Sequence, residues 1–160
     1  MSTKSFTINL PIITGDQDRR RLRKSFSFGC NLQNAVMGGG WDRVLKMRAT
    51  AEWQTARAMP KSSERTKAFR DLRVRFRLSE YDFHADVAKH RKASGRGHLL
   101  GINECQKLAS RAWISVERHL YNGGSPRFIS SRRGLHSIEG KTNRTGIIWK
   151  ADQQCVTVCK

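Results

Sequence analysis

Residues 102–121 read INECQKLASRAWISVERHLY, and this stretch decides the fold. Ile102, Cys105, Ala109, Ala112 or Trp113, Val116 and Leu120 recur every three or four residues, the period of one helix face. A stripe that apolar must be covered by other helices, so the chain is built around a helical body.

Toward the N-terminus, Ser79-x-x-Asp82 has the form of a helix start, and that helix should end near Ser94-Gly95-Arg96-Gly97. Before it, 61–77 predicts a helix with Phe69, Leu72 and Phe76 inward. Another is expected over 41–59, with Trp41, Leu45, Ala49 and Trp53 at every fourth position and a stop before Pro60. Thr14 and Gln17 resemble a capping box that opens a first helix, continued by Leu22, Phe26, Cys30, Ala35 and Val36. Gly38-Gly39-Gly40 predicts a kink or break in it, because each glycine costs about 1 kcal/mol relative to alanine inside a helix.

The two ends of the chain have a different period. In 4–11 (KSFTINLP), Phe6, Ile8 and Leu10 alternate with Ser5, Thr7 and Asn9, as in a half-buried strand. After Asn122-Gly123-Gly124-Ser125-Pro126 helix formers thin out, and 146–149 and 155–158 read as strands around a turn near 151–152. The expected fold class is therefore α+β, with strands from both ends forming a small sheet or partial barrel and a helical lobe emerging from it. The boundaries are 1–13 for the first strand, 14–122 for the helical lobe and 123–160 for the later strands with a basic loop.

Thirty-one Lys and Arg stand against 13 Asp and Glu, a formal charge of +18 with a pI near 10.9. Such a surplus repels itself and destabilises a compact chain until a polyanion relieves it, so nucleic acid is the expected partner. No apolar run approaches the length of a membrane span, no secretory signal is read, and a membrane is not expected as a partner. Four cysteines without such a signal suggest free thiols in a reducing compartment, and a cytoplasmic, nucleoid-associated location is expected. Cys155 and Cys159 would lie roughly 13 Å apart on a strand, too far for one metal, and neither metal nor cofactor is expected.

The cations gather in two places. Lys61, Arg65, Lys67, Arg70, Arg73, Arg75 and Arg77 crowd one predicted helix against only Glu64 and Asp71, so one side of that helix must form a cationic ridge able to track phosphates. Acids at i+4 that would mark a merely solvated face are missing. Arg127, Arg132, Arg133, Lys141, Arg144 and Lys150 form the second patch, opposed by Glu139. Gly134, Gly140 and Gly146 allow its backbone N–H groups near phosphate oxygens, and Ser130, Ser131, Thr142 and Asn143 add neutral donors. Phe128 can stack on a base; Trp149 is expected in the core.

Asn103, Gln106 and Lys107 share the helix face opposite the apolar stripe of 102–121, and Asn or Gln can pair bidentately with adenine. An enzyme would need a site of its own. Asp82, Asp86 and His90 at i, i+4 and i+8 are the one stripe suited to a divalent metal, as in a small nuclease, but they spread over roughly 12 Å of a single helix. A solvated face balanced by Lys89 and Arg91 is the simpler reading.

Taken in order, the strand 4–11, Gly29-Cys30-Asn31-Leu32-Gln33-Asn34-Ala35, Gln106-Lys107-Leu108-Ala109-Ser110-Arg111-Ala112-Trp113, Pro126-Arg127-Phe128 and Gly134-Leu135-His136-Ser137-Ile138-Glu139-Gly140-Lys141-Thr142-Asn143 resemble the N-terminal half of TnpB (OrfB) proteins. These are transposon-encoded, RNA-guided DNA nucleases related to compact type V CRISPR effectors. The resemblance implies a wedge domain, a small β-barrel, interrupted by a helical recognition lobe. Its implied partners are guide RNA and target DNA, with Asn103, Gln106 and Lys107 facing the short motif beside the target. Thr142, Asn143 and Arg144 would approach that motif or the RNA. Sequence selection then belongs to base pairing, and the protein reads shape, backbone and the adjacent motif. The family's catalytic carboxylates and zinc ribbon belong to a RuvC nuclease domain beyond the last strand, so no catalysis is expected of this chain alone, whether it is truncated, split from a nuclease half on a separate chain, or kept as a DNA- or RNA-binding remnant. The alternatives from the residues themselves are a metal nuclease using Asp82, Asp86 and His90, and a basic structural protein that binds RNA without specificity.

Overall fold

The computed structural model describes residues 12–140, 147–150 and 152–158. The expected strand 4–11, the positions Lys141, Thr142, Asn143 and Arg144, and Cys159 lie outside the described residues. Five helices come first: α1 (Asp16–Arg48), α2 (Ala51–Ala58), α3 (Ser63–Arg75), α4 (Glu80–Ala93) and α5 (Ile102–Glu117). Two short strands follow, β1 (Ile147–Lys150) and β2 (Cys155–Val158). They pair antiparallel, with Ile147 opposite Val158 and Lys150 opposite Cys155. The chain is thus mixed helix and strand, mostly helical. The described strands form one hairpin.

The stripe of α5 is the centre of the core. Cys105, Leu108, Ala109, Ala112, Trp113 and Val116 are buried, and so is Leu120 just beyond the helix end, whereas Ile102 at the first turn is exposed. α1 and α4 pack on α5 and on each other, while α2 packs on α3 and joins the body through α1. From α1 the core receives Phe28, Leu32, Val36, Met37, Val44 and Met47; from α4, Phe83 and Val87. Ser79 caps α4 as expected, its side chain accepting from the Asp82 N–H. Ser62 and Thr50 do the same for α3 and α2. The expected Thr14–Gln17 capping box does not form: Gly15 is the N-cap of α1, without a side-chain cap.

The three glycines do not break α1, which runs unbroken across them. One of them is a site of close approach. A Cβ on Gly38 would meet Phe128 at 3.6 Å, an ordinary contact distance, whereas one on Gly40 would collide with the Phe83 ring. Gly29, nearer the start of the helix, serves in the same way: a Cβ there would meet Leu135, Leu108 and Leu100 at 3.1–3.3 Å. The bulk of the neighbours outweighs the helix cost of glycine. Because α1 keeps its register through the glycines, Val44 and Met47 face inward, and Leu45 and Ala49, expected inside, are exposed. The break comes instead at Thr50, whose hydroxyl donates to the Met47 carbonyl and accepts from the Trp53 N–H. Trp149, expected in the core, is half exposed on β1.

Gly39 lies in the same helix, and a Cβ added to it would have no neighbour within 4 Å, so the triplet supplies its own control. Gly40→Ala should destabilise the chain by about 1–3 kcal/mol through overpacking against Phe83, while Gly39→Ala should stabilise it by up to about 1 kcal/mol through helix propensity. Urea unfolding of the two variants checks the pair; equal effects would refute the close-approach account.

Candidate functional site

The cationic ridge of α3 divides once its surroundings are in place. Arg73 lies 3.6 Å from Glu117 of α5, donates to the Leu78 carbonyl and stands over the Trp113 ring. Arg75 donates to Glu52 of α2 at 3.0 Å, and Arg77, just past the helix with φ of 52°, reaches Asp82 at 3.4 Å and Asp86 at 3.3 Å. A hydrogen bond from its own backbone, then the hydrogen bond and charge of Arg75, hold the Glu52 carboxyl below the ordinary carboxylate range. The acids missing at i+4 therefore arrive from other elements, and Arg73, Arg75 and Arg77 each stand within ion-pair distance of one.

Lys61, Arg65 and Arg70 remain around a cavity of about 740 Å³, joined by Arg57 from α2 and flanked by Arg73. Its wall is aromatic: Trp53 and Tyr121 stack at 5.8 Å with an interplanar angle of 11°, and Phe69 meets both edge-on at 5.1 and 5.2 Å. Arg65 lies over Phe69 at 5.5 Å, and its Nε is shut off from solvent with no hydrogen-bond partner among the described residues. No acid among the described residues lines this cavity. Lys67 is exposed on the same helix. Trp53, Tyr121 and Arg57 carry no functional signal in the sequence; only the tertiary contact of α2, α3 and the end of α5 assembles them.

A second cavity of about 670 Å³ lies where the basic loop crosses the helical body. Arg127, Phe128, Ile129, Arg133 and Leu135 line it from the loop, Gln33 from α1 and Arg111 from α5. Asn34 fixes the loop by a two-way amide contact: its Nδ2 donates to the Ile129 carbonyl at 2.8 Å, and the Ile129 N–H donates to its Oδ1 at 2.9 Å. Arg111 holds the far side through the Ser137 carbonyl, the Ser137 hydroxyl and the Glu139 carboxylate. That hydrogen bond, and next the charges of Arg111 and Lys107, depress the Glu139 carboxyl. The Gln33 Oε1 is buried without a partner among the described residues. Arg127, Arg132 and Arg133 remain exposed, as does the aromatic ring of Phe128. Lys150 is exposed on β1.

The expected base-reading face of α5 is less open than its polarity suggests. Asn103, Gln106 and Lys107 are each half-buried, and the 137–139 segment clamped by Arg111 brings Glu139 into the field of Lys107. Glu104, between them, is fully buried.

Asp82, Asp86 and His90 are not assembled as a metal cradle. Arg43 donates to Asp86 at 2.7 Å, Arg77 reaches both carboxylates, and Ser79 donates to Asp82. No group of three or more His, Cys, Asp or Glu suited to a metal occurs among the described residues. One cluster the sequence does not announce joins α4 to α5: Ser110 donates to Glu80, and His84 Nε2 lies 2.9 Å from Ser110 Oγ. The same imidazole nitrogen faces Glu80 at 3.6 Å, so the carboxylate does not orient the opposite nitrogen as acyl transfer requires. Burial raises the Cys105 thiol to about 11, which leaves it protonated and unreactive at neutral pH. No helix among the described residues is long and apolar enough to cross a membrane. Compared with family models, curated proteins and solved structures, the chain matches none.

If the acidic face of α4 is structural, Asp86→Ala strands Arg43 and leaves Arg77 with Asp82 alone. That variant should lose about 1–3 kcal/mol in urea unfolding, since the ion pair is largely but not fully buried. Unchanged stability would reopen the metal reading.

Proposed function

We propose that this chain is a nucleic-acid-binding module, the wedge and recognition lobe of a TnpB-like RNA-guided effector. The observation that carries the proposal is the sorting of the +18 charge. Arg43, Arg73, Arg75, Arg77 and Arg111 are paired with acids of other elements, while Arg57, Lys61, Arg65 and Arg70 surround a cavity lined by no acid among the described residues, Arg70 meeting its exposed neighbour Asp71 only at 4.0 Å, and Arg127 and Arg133 line a second one. Cations that need no partner for folding remain available for phosphates.

The TnpB-like character of the proposal rests on the order of the segments quoted from the sequence. Gln33 of α1, Arg111 of α5 and Arg127, Phe128 and Leu135 of one loop line a single cavity. In this reading the β1–β2 hairpin belongs to a small barrel-like wedge, and the five helices are the recognition lobe. Guide RNA and target DNA are its partners, and the chain works on the nucleoid in a prokaryotic cytoplasm.

The test is binding across salt. Contact with six to ten phosphates predicts that affinity falls roughly 10³- to 10⁵-fold between 50 and 200 mM salt, read by anisotropy with the copurifying nucleic acid sequenced in parallel. A flat salt response overturns the nucleic-acid reading. Steep but indiscriminate binding, with no preference for a transposon-end transcript, retains a basic RNA-binding protein and removes the TnpB-like assignment.

A further inference from the structure

The aromatic cavity between α2 and α3 has a chemistry that phosphate tracking alone does not use. A helix that only follows a backbone needs cations at its surface, whereas here Trp53, Phe69 and Tyr121 form a closed triangle of rings at the floor of a cationic cleft. Trp53 is buried, Phe69 is half-buried, and Tyr121 keeps 43% of its surface open. The cavity volume of about 740 Å³ falls within the roughly 300–1,000 Å³ range of small-ligand sites.

We infer that this cleft takes an unpaired nucleotide of a single strand, with its base stacked on the Tyr121 end of the ring cluster and its flanking phosphates on Arg57, Lys61 and Arg70. The inference rests on the nucleic-acid reading above and names what one of its two sites receives. A duplex keeps its bases stacked on each other and cannot present one to rings recessed between helices; a single strand can. Every charged residue lining the cleft is a cation, which selects a polyanion. The rings then select, among polyanions, one that has aromatic faces. Arg65 joins the two. Its guanidinium lies over Phe69 at 5.5 Å and lines the cleft, which fixes a positive charge beside the rings. Arg57 also acts on Arg48: after burial, its charge is what lowers the Arg48 guanidinium below its ordinary value, a repulsion that a bound phosphate would relieve.

The experiment titrates the full chain with labelled twelve-nucleotide oligo(U) and oligo(dT), a twelve-base-pair duplex, inorganic polyphosphate and poly-glutamate. Tyr121→Ala should weaken both single strands by roughly 5- to 150-fold, the range expected for loss of one base-stacking partner, and leave duplex and polyphosphate affinities unchanged. Tyr121→Phe should restore single-strand binding. A larger effect on oligo(U) than on oligo(dT) assigns the slot to RNA, and the reverse assigns it to DNA. Arg57→Gln, on the exposed side of α2, provides a variant that leaves the ring cluster intact; it should weaken single-strand binding and lower the log–log salt slope by about 1. Equal loss across all probes, no loss for either variant, or displacement of the oligonucleotide by poly-glutamate as readily as by unlabelled single strand overturns the slot. If wild-type binding stays steeply salt-dependent while the variants bind normally, the slot alone falls; if no nucleic acid binds, both readings fall.

Discussion

The fold depends on one close contact, the seating of Phe83 against a helix that has no side chain at Gly40. Phe83 is fully buried, meets Trp113 edge-on at 5.3 Å and lies under the Arg43 guanidinium at 5.3 Å. It thus locks α4 between α1 and α5. The separation of the helices, and with it the placement of Asp86 under Arg43 and of Arg77 over Asp86, follows from how near the α1 backbone can come. Gly29 repeats the device at the other end of α1, where it lets Leu100, Leu108 and Leu135 close over the helix. Small residues on a long helix serve here as contact surface, and the hydrophobic stabilisation of three packed helices outweighs their poor helix propensity.

That packing also divides the charge. Once α4 and α5 are fixed against α1, their acids stand opposite particular arginines: Glu117 beside Arg73, and Asp82 and Asp86 beside Arg77. Arg48 becomes a cap for the end of α5, donating to the carbonyls of His119, Leu120 and Asn122 at the negative end of the helix. Arg57, Lys61, Arg65 and Arg70 line the α2–α3 cleft and Arg127 and Arg133 the loop cavity, with no acid among the described residues lining either. The two cavities differ in their walls, one aromatic and the other built largely of loop residues.

Much of the helical body is legible in the residues. The α5 stripe and the Ser79 cap declare themselves through periodicity and local hydrogen bonding, which act over a few residues. Gly38-Gly39-Gly40 reads as a break and is not one, because propensity is local while Phe83 lies 43 positions from Gly40. The ridge on α3 looks more open in the sequence than it is for the same reason: an i+4 search cannot see Glu52 or Glu117, which approach through space. Trp149 goes the other way, since a lone aromatic in a short strand does not reveal which side of a hairpin is covered.

By itself the sequence determined that this chain is strongly basic and predominantly helical up to the Asn122-Gly123-Gly124 turn. Only the tertiary structure decided which cations are committed to ion pairs and which stay open, and only it brought Trp53, Phe69 and Tyr121 together. The physical reason is range: charge count and helical period are properties of neighbouring residues, whereas neutralisation and ring stacking depend on which distant residues the packing of α1 on α4 and α5 places side by side.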